Sequence, residues 1–256
     1  MATRTALVSD VHGNAVALEA LVAALERDGV DQVVCLGDVA QGGPQPAEVV
    51  DRIDELGWPV VLGNADDFLL DPDAGAEPAT PRLLDVRGWS VARLGPERLE
   101  RIRSFSPTVE ADLGNGRRLL AFHGSPASYD HVILPWLEPE VVNGFLGGHD
   151  ADVLAGGHVH LQWLHRVADA VFVNPGSVGL GYDHRQPESD FRFDAYAAYA
   201  VVSVAGELEI AFRRAPFAWE AVVEAISESG IPYRDESARR WVPRNVAPEP
   251  VGAPAG

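Results

Sequence analysis

The 256-residue sequence has no lysine: its 20 basic residues are all arginine, set against 38 acidic residues, for a net charge of −18. Without lysine there is no Schiff-base chemistry and no P-loop, whose Gly-Lys-Ser/Thr core cradles nucleotide phosphates. So acidic a chain also lacks the clustered positive charge that neutralises a nucleic-acid backbone, which excludes extended nucleic-acid binding as a general activity. The single cysteine, Cys35, rules out an intrachain disulfide and a cysteine-based zinc cluster. No apolar run is long enough for a membrane span, and the chain enters Thr5-Ala6-Leu7-Val8 without a signal-peptide pattern. The expectation is a cytoplasmic protein without a membrane partner, in which any anionic substrate needs a local device to hold it.

The hydrophobic fraction of 46% is enough for a sizeable core. No composition break divides the chain, so the expectation is one domain over 1–244, followed by a flexible Pro/Gly/Ala-rich tail at 245–256. Within it, 68–106 is a candidate helical cap insertion, with helical patterns at Arg82 to Leu94 and Glu97 to Ser104. The first 65 residues alternate apolar runs with amphipathic stretches. Strands are expected at Thr5 to Ser9, Gln32 to Leu36 and Pro59 to Leu62, and helices at Val16 to Leu25 and Pro46 to Leu56. Such a β-α-β-α-β order implies parallel strands. Gly114-Asn115-Gly116 between two strand patterns reads as a hairpin turn, and further strands are expected at Asp152 to Ala155, Ala170 to Val173, Tyr199 to Val204 and Leu208 to Arg213. Trp219 to Ile226 has a helical pattern.

The chemistry-bearing residues sit just past strands, where open α/β sheets place their functional groups. They are Asp10, His12, Asp38, Asn64, His123, His158 and His160. Mixed imidazole and carboxylate donors suit borderline divalent ions. Seven donors are too many for one four-coordinate ion with an open position, but suit two ions that share a carboxylate. His149, His165 and His184 have no such company and read as surface or structural residues. Ser125, Asn174 and Ser177 read as loop residues that shape the site.

In order, these segments are Asp10-Val11-His12, Gly37-Asp38, Gly63-Asn64-Ala65-Asp66, His123 and Gly157-His158-Val159-His160. The series resembles the calcineurin-like metallophosphoesterases over residues 5 to about 180. Ser9 to Asn14, His123-Gly124-Ser125-Pro126 and Asn174-Pro175-Gly176-Ser177 are similar to their small bacterial phosphodiesterase branch. The resemblance implies an α/β (α+β) fold, a four-layer αββα sandwich of two mixed β-sheets flanked by helices. It implies two divalent metal ions, drawn from Mn, Fe, Zn, Co or Ni with Mn favoured. Asp10, His12 and His160 would hold the first ion, Asn64, His123 and His158 the second, and Asp38 would bridge them. The implied activity is phosphoester hydrolysis by a metal-bridging hydroxide. The implied substrate is a small phosphate ester, with a nucleotide among the candidates. Nothing in the sequence sets the oligomeric state.

One position departs from the family pattern. The residue after Gly-Asn is usually a histidine that protonates the leaving group; here it is Ala65. General-acid help is worth roughly 10²–10⁴-fold, so its loss favours leaving groups of low pKa or a substitute donor. Asp66 and His131 are the candidate substitutes. The missing acid and the branch resemblance favour phosphodiesters over monoesters. The alternatives are a non-catalytic scaffold on this fold, as in the retromer subunit that shares it, a phosphomonoesterase and a protein phosphatase.

Overall fold

Alternating β and α segments lay down the first half of one sheet and the helices that cover it. The computed structural model describes residues 3–75 and 78–244, so the expected tail at 245–256 lies outside the described residues. The chain runs β1 (Arg4–Val8), α1 (Ala15–Asp28), β2 (Gln32–Cys35), α2 (Pro46–Leu56), α3 (Asn64–Leu70) and α4 (Pro81–Arg103). It continues with β3 (Val109–Gly114), β4 (Arg117–Ala121), α5 (Pro139–Leu146), β5 (Val153–Ala155), β6 (Gln162–Val167) and β7 (Ala170–Pro175). It ends with β8 (Tyr196–Val204), β9 (Leu208–Pro216), α6 (Trp219–Ser229) and α7 (Arg234–Arg239).

Helix boundaries follow local chemistry. Asn14 caps α1 by accepting from the Ala17 N–H, and α1 stops at Gly29, whose φ of 61° suits glycine. Pro46 opens α2 and Gly57 closes it. The two helical patterns between 82 and 104 lie on either side of a break at Gly95 (φ 68°, ψ 174°), immediately before Pro96, and α4 spans both. The expected third strand is a difference. Residues 59–62 make only single bridges, Val60 to Cys35 and Val61 to Ser106, because the chain turns into α3 directly afterwards.

Two mixed sheets result. In the first, ordered β2-β1-β8-β9, β1 and β2 are parallel and the rest antiparallel. In the second, ordered β3-β4-β5-β7-β6, the central β4, β5 and β7 are parallel. Strand alternation assigns the layers. Leu7, Val34 and Leu36 pack with Leu119, Val153 and Val173 between the sheets. Ala6, Val8 and Cys35 face the other way, onto Leu18 and Leu21 of α1 and Val49 and Ile53 of α2. Phe172 and Leu154 face Val142 and Leu146 of α5. The molecule is thus a four-layer sandwich, two mixed sheets flanked by helices. Cys35 is fully buried in it, and burial pushes its thiol up to about 12. No helix among the described residues is long and apolar enough to cross a membrane.

Candidate metal centre

The two sheets meet at the carboxyl ends of their parallel strands, and backbone hydrogen bonds fix the loops there. Asp10 N–H donates to Gly37 O (2.9 Å), His12 N–H to Asp38 O (2.9 Å) and Gly13 N–H to Val39 O (2.8 Å), joining the loops after β1 and β2. Gly157 N–H donates to His123 O (2.8 Å), joining the loops after β5 and β4. The first sheet is tied to the segment after β7 by Val178 N–H to Ser9 O and Gly179 N–H to Asp10 O, both 2.9 Å. Ser177 Oγ also donates to Asp10 O, and Asn174 Nδ2 to Gly157 O (2.5 Å). The Ser177 and Asn174 side chains therefore brace the loops that carry the site.

These loops leave Asp10, His12 and His160 as one group of convergent donor atoms and Asp38, His123 and His158 as a second. Within each group the atoms lie within 4.8 Å of one another. Asp38 Oδ2 stands between the groups, 3.7 Å from His12 Nε2 and 3.3 Å from His123 Nε2. Asn64, the first residue of α3, places Oδ1 2.9 Å from both His123 Nε2 and His158 Nδ1. All seven strand-end residues expected from the sequence are brought together.

Five of them, Asp10, His12, Asp38, His158 and His160, have positive φ between 50° and 71°. They account for five of the eight non-glycine residues in that region among the described residues. Strained backbone of this kind costs of order 1–3 kcal/mol per residue and clusters at functional sites. The loops need glycine elsewhere to fit. A Cβ on Gly179 would run into the Val11 carbonyl. Gly179→Ala is expected to destabilise the fold by about 1–3 kcal/mol, read as a lower denaturant midpoint, and an unchanged midpoint would contradict this packing.

Three histidines share one orientation device. The Nδ1 atoms of His12, His123 and His160 each lie 2.7 Å from a backbone carbonyl, of Gln41, Leu36 and Leu180 respectively. A carbonyl only accepts, so Nδ1 carries a proton and Nε2 is the nitrogen turned to the site. His12 Nε2 and His160 Nε2 then face each other at 3.1 Å, beside a buried Asp10 Oδ1 that has no hydrogen-bond donor among the described residues. Convergent imidazole nitrogens beside a buried carboxylate oxygen fit a cation.

The electrostatics point the same way. Burial opposes the charge on Asp10, but the His160 ring outweighs it and lowers the carboxyl below its usual value. Burial likewise opposes the charge on Asp38, and the neighbouring histidines, His123 foremost, bring the carboxyl below its usual value all the same. Burial would depress His123, yet the Asp38 carboxylate raises it to about 10; Asp10 similarly raises His160 against burial. Burial prevails at His12 and His158, which are lowered. Ionised carboxylates and raised imidazoles mark a locus that favours positive charge.

Asp66 and His131 belong to neither group. Asp66 is fully buried; its Oδ1 accepts from Val39 N–H (2.9 Å) and Ala40 N–H (3.3 Å), and its Oδ2 from Gly63 N–H (3.4 Å). Burial first, and the neighbouring Asp38 second, push it up to about 7. His131 Nδ1 lies 2.7 Å from Ser125 Oγ, with its ring against Phe145. Ala65 donates its N–H to Asp38 Oδ1 (2.8 Å) and offers no side-chain proton. The sequence reading missed Leu36, Gln41 and Leu180. They act through main-chain carbonyls, which any residue supplies, so no side-chain pattern could have pointed to them.

A family model described as the calcineurin-like phosphoesterase superfamily domain matches residues 4–202. An uncharacterised protein of Methanocaldococcus jannaschii is 24% identical over 180 residues, covering 70% of this chain and 72% of that protein. The crystal structure of a metallophosphoesterase from Sphaerobacter thermophilus superposes with a TM-score of 0.72 at 23% identity, covering 94% of this chain and 100% of that one. A hypothetical protein from Pyrococcus horikoshii superposes with a TM-score of 0.75 at 20% identity, covering 93% and 98%.

Proposed function

The chain belongs to the calcineurin-like phosphoesterase superfamily, and on that premise we propose that it hydrolyses small phosphate esters, diesters in preference to monoesters, with two divalent cations, Mn²⁺ favoured. The observation that carries this reading is the convergence of seven donor side chains with the Nε2 atoms of three histidines fixed inward. Asp10, His12 and His160 would hold one cation and Asn64, His123 and His158 the other, with Asp38 shared. When bound, such cations lower the pKa of a water and neutralise charge on phosphoryl oxygens.

The protein's own part is orientation. The carbonyls of Leu36, Gln41 and Leu180 hold the imidazoles in one tautomer. Asp66 is a positioning residue: its carboxylate gathers the amides of Val39 and Ala40, directly after Asp38, and so fixes the loop that presents the shared carboxylate. Ala65 brings no proton to the departing oxygen, so turnover should depend steeply on leaving-group pKa. This favours esters whose leaving group is stable as an anion.

The test is hydrolysis of bis(p-nitrophenyl) phosphate against p-nitrophenyl phosphate. Metal-stripped protein is expected to be inactive and Mn²⁺ to restore it, with kcat/KM higher on the diester. Metal-replete protein that cleaves neither ester would overturn the phosphoesterase reading, and a higher kcat/KM on the monoester would overturn the diester preference.

A further inference from the structure

Strand β9 has one open edge. It is an end strand of the first sheet, nine residues long, in unbroken register with β8. The other end strand of that sheet, β2, is shielded, because Val60 runs beside it and bridges to Cys35. In the second sheet, the end strand β3 carries an irregularity between Asp112 and Gly114. Bulges, prolines and covering segments keep an end strand from pairing with another chain. Neither bulge nor proline interrupts β9 over 208–215, and the elements packed against it are β8 and α1.

Gln162 reveals which main-chain groups face outward. Its Nε2 donates to both Tyr199 O (3.1 Å) and Arg213 O (3.0 Å), and these two residues lie opposite each other across β8 and β9. One nitrogen reaches both carbonyls only where they point toward each other, so Arg213 turns its main-chain groups to β8. Ala198, opposite Arg214, agrees: its N–H turns away from β9 to Ser177 O (3.0 Å). By alternation the N–H and C=O groups of Ile210 and Phe212 face outward, and they have no hydrogen-bond partner among the described residues.

The side chains alternate as well. Leu208, Ile210 and Phe212 lie on the inter-sheet face, half-buried against its core. Glu209, Ala211 and Arg213 lie on the opposite face, where Arg213 Nε reaches Asp28 Oδ2 only at 3.8 Å. Glu209 is exposed and has no ion pair among the described residues. Set antiparallel against itself about Ala211, this strand puts Glu209 opposite Arg213 of a second copy and Ile210 opposite Phe212, each pair twice. The outward main chains of Ile210 and Phe212 then exchange hydrogen bonds. Centred on Ile210 or Phe212 instead, the pairing would put Glu209 opposite Ala211 or Ala215. Charge therefore selects the Ala211 register. On the same flank, Leu164 of β6 shares the face of Gln162 and is 53% exposed.

We propose that β9 is the docking surface for a second copy of this chain, paired antiparallel about Ala211, so that two sheets of four strands become one of eight. β9 runs in the same sense as β1, because each pairs antiparallel with β8. The two-fold axis therefore sets the two candidate metal centres toward opposite ends of the joint sheet. The pairing does not depend on the phosphoesterase reading.

The test is sedimentation velocity of the full chain from micromolar to millimolar concentration in about 150 mM NaCl, which screens the repulsion between two acidic chains. A monomer–dimer equilibrium is expected. Glu209→Arg and Arg213→Glu each set like charges opposite one another twice, and each is expected to raise the dimer Kd at least about tenfold. Mixing the two variants is expected to restore a dimer, now between unlike chains, because every facing pair is again of opposite sign. Ile210→Pro removes an outward N–H and no bond to β8, and is expected to abolish the dimer by an independent route. Unchanged circular dichroism spectra show that the variants fold. Amide exchange at Phe212 is expected to slow with concentration in the unaltered chain and not in Ile210→Pro. A chain that stays monomeric at millimolar concentration would overturn the proposal. A dimer that survives Ile210→Pro would overturn β9 as its surface, and a mixture of the two charge variants that stays monomeric would overturn the register.

Discussion

Asp38→Asn is expected to lower kcat/KM on bis(p-nitrophenyl) phosphate by about a thousandfold, the scale seen when a preorganised electrostatic group is removed from a catalytic site. Asp38 is the residue for this test because its Oδ2 faces both donor groups, at 3.7 Å from His12 Nε2 and 3.3 Å from His123 Nε2. Asparagine keeps the oxygen that accepts the Ala65 N–H and keeps the main-chain carbonyl that accepts the His12 N–H, so the loop is retained. What is lost is the negative charge between the groups. Removing it would weaken both proposed cation sites at once, whereas changing His160 would disturb one group alone. The elemental content of the variant is therefore expected to fall toward zero metal per chain, with an unchanged circular dichroism spectrum. Activity within tenfold of the unaltered protein would contradict a shared role for Asp38.

The parts of this architecture that were legible in the sequence are those encoded locally. A strand of four or five residues followed at once by Asp-Val-His or Gly-Asp is a short-range pattern, and β1, β2 and their loops follow it closely. The turn at Gly114-Asn115-Gly116 and the break at Gly95-Pro96 are backbone signals that need no tertiary context. What escaped was non-local. That β8 pairs antiparallel with β1, across nearly the whole chain, is decided by packing between two sheets rather than by either strand's own residues. Residues 59–62 have a strand's composition, yet the turn into α3 leaves them only single bridges to Cys35 and Ser106. Asp66 shows the limit at the site itself. The sequence places it beside Ala65 but says nothing of the amides of Val39 and Ala40, some 26 residues away, from which its carboxylate accepts. A carboxylate reads the same in a sequence whether it faces a substrate or a peptide N–H.

Stripping divalent cations is expected to lower Tm by about 10–20 °C. The argument starts from the folded protein's own groups. His12 and His160 aim their Nε2 atoms at each other across 3.1 Å, Asp10 Oδ1 has no hydrogen-bond partner among the described residues, and five of the seven donor residues have left-handed backbone. Each of these arrangements costs free energy that the unfolded chain does not bear. A cation bound only by the folded form offsets that cost. At a hundred times Kd each site contributes about 2.7 kcal/mol, so two sites contribute roughly 5 kcal/mol. For a chain near this length each kcal/mol moves Tm by about 2–4 °C. Mn²⁺ added back to stripped protein should therefore raise Tm progressively with concentration, and the same titration on Asp38→Asn should give only a small rise, because the shared charge is gone. A general ionic effect would move both proteins equally and would require only ionic strength, which MgCl₂ or NaCl at matched strength would reproduce. A rise in Tm specific to Mn²⁺ and dependent on Asp38 ties the strained loops at the strand ends to cation binding without reference to any substrate. A Tm unmoved by millimolar Mn²⁺ would mean that these seven side chains are balanced without a cation.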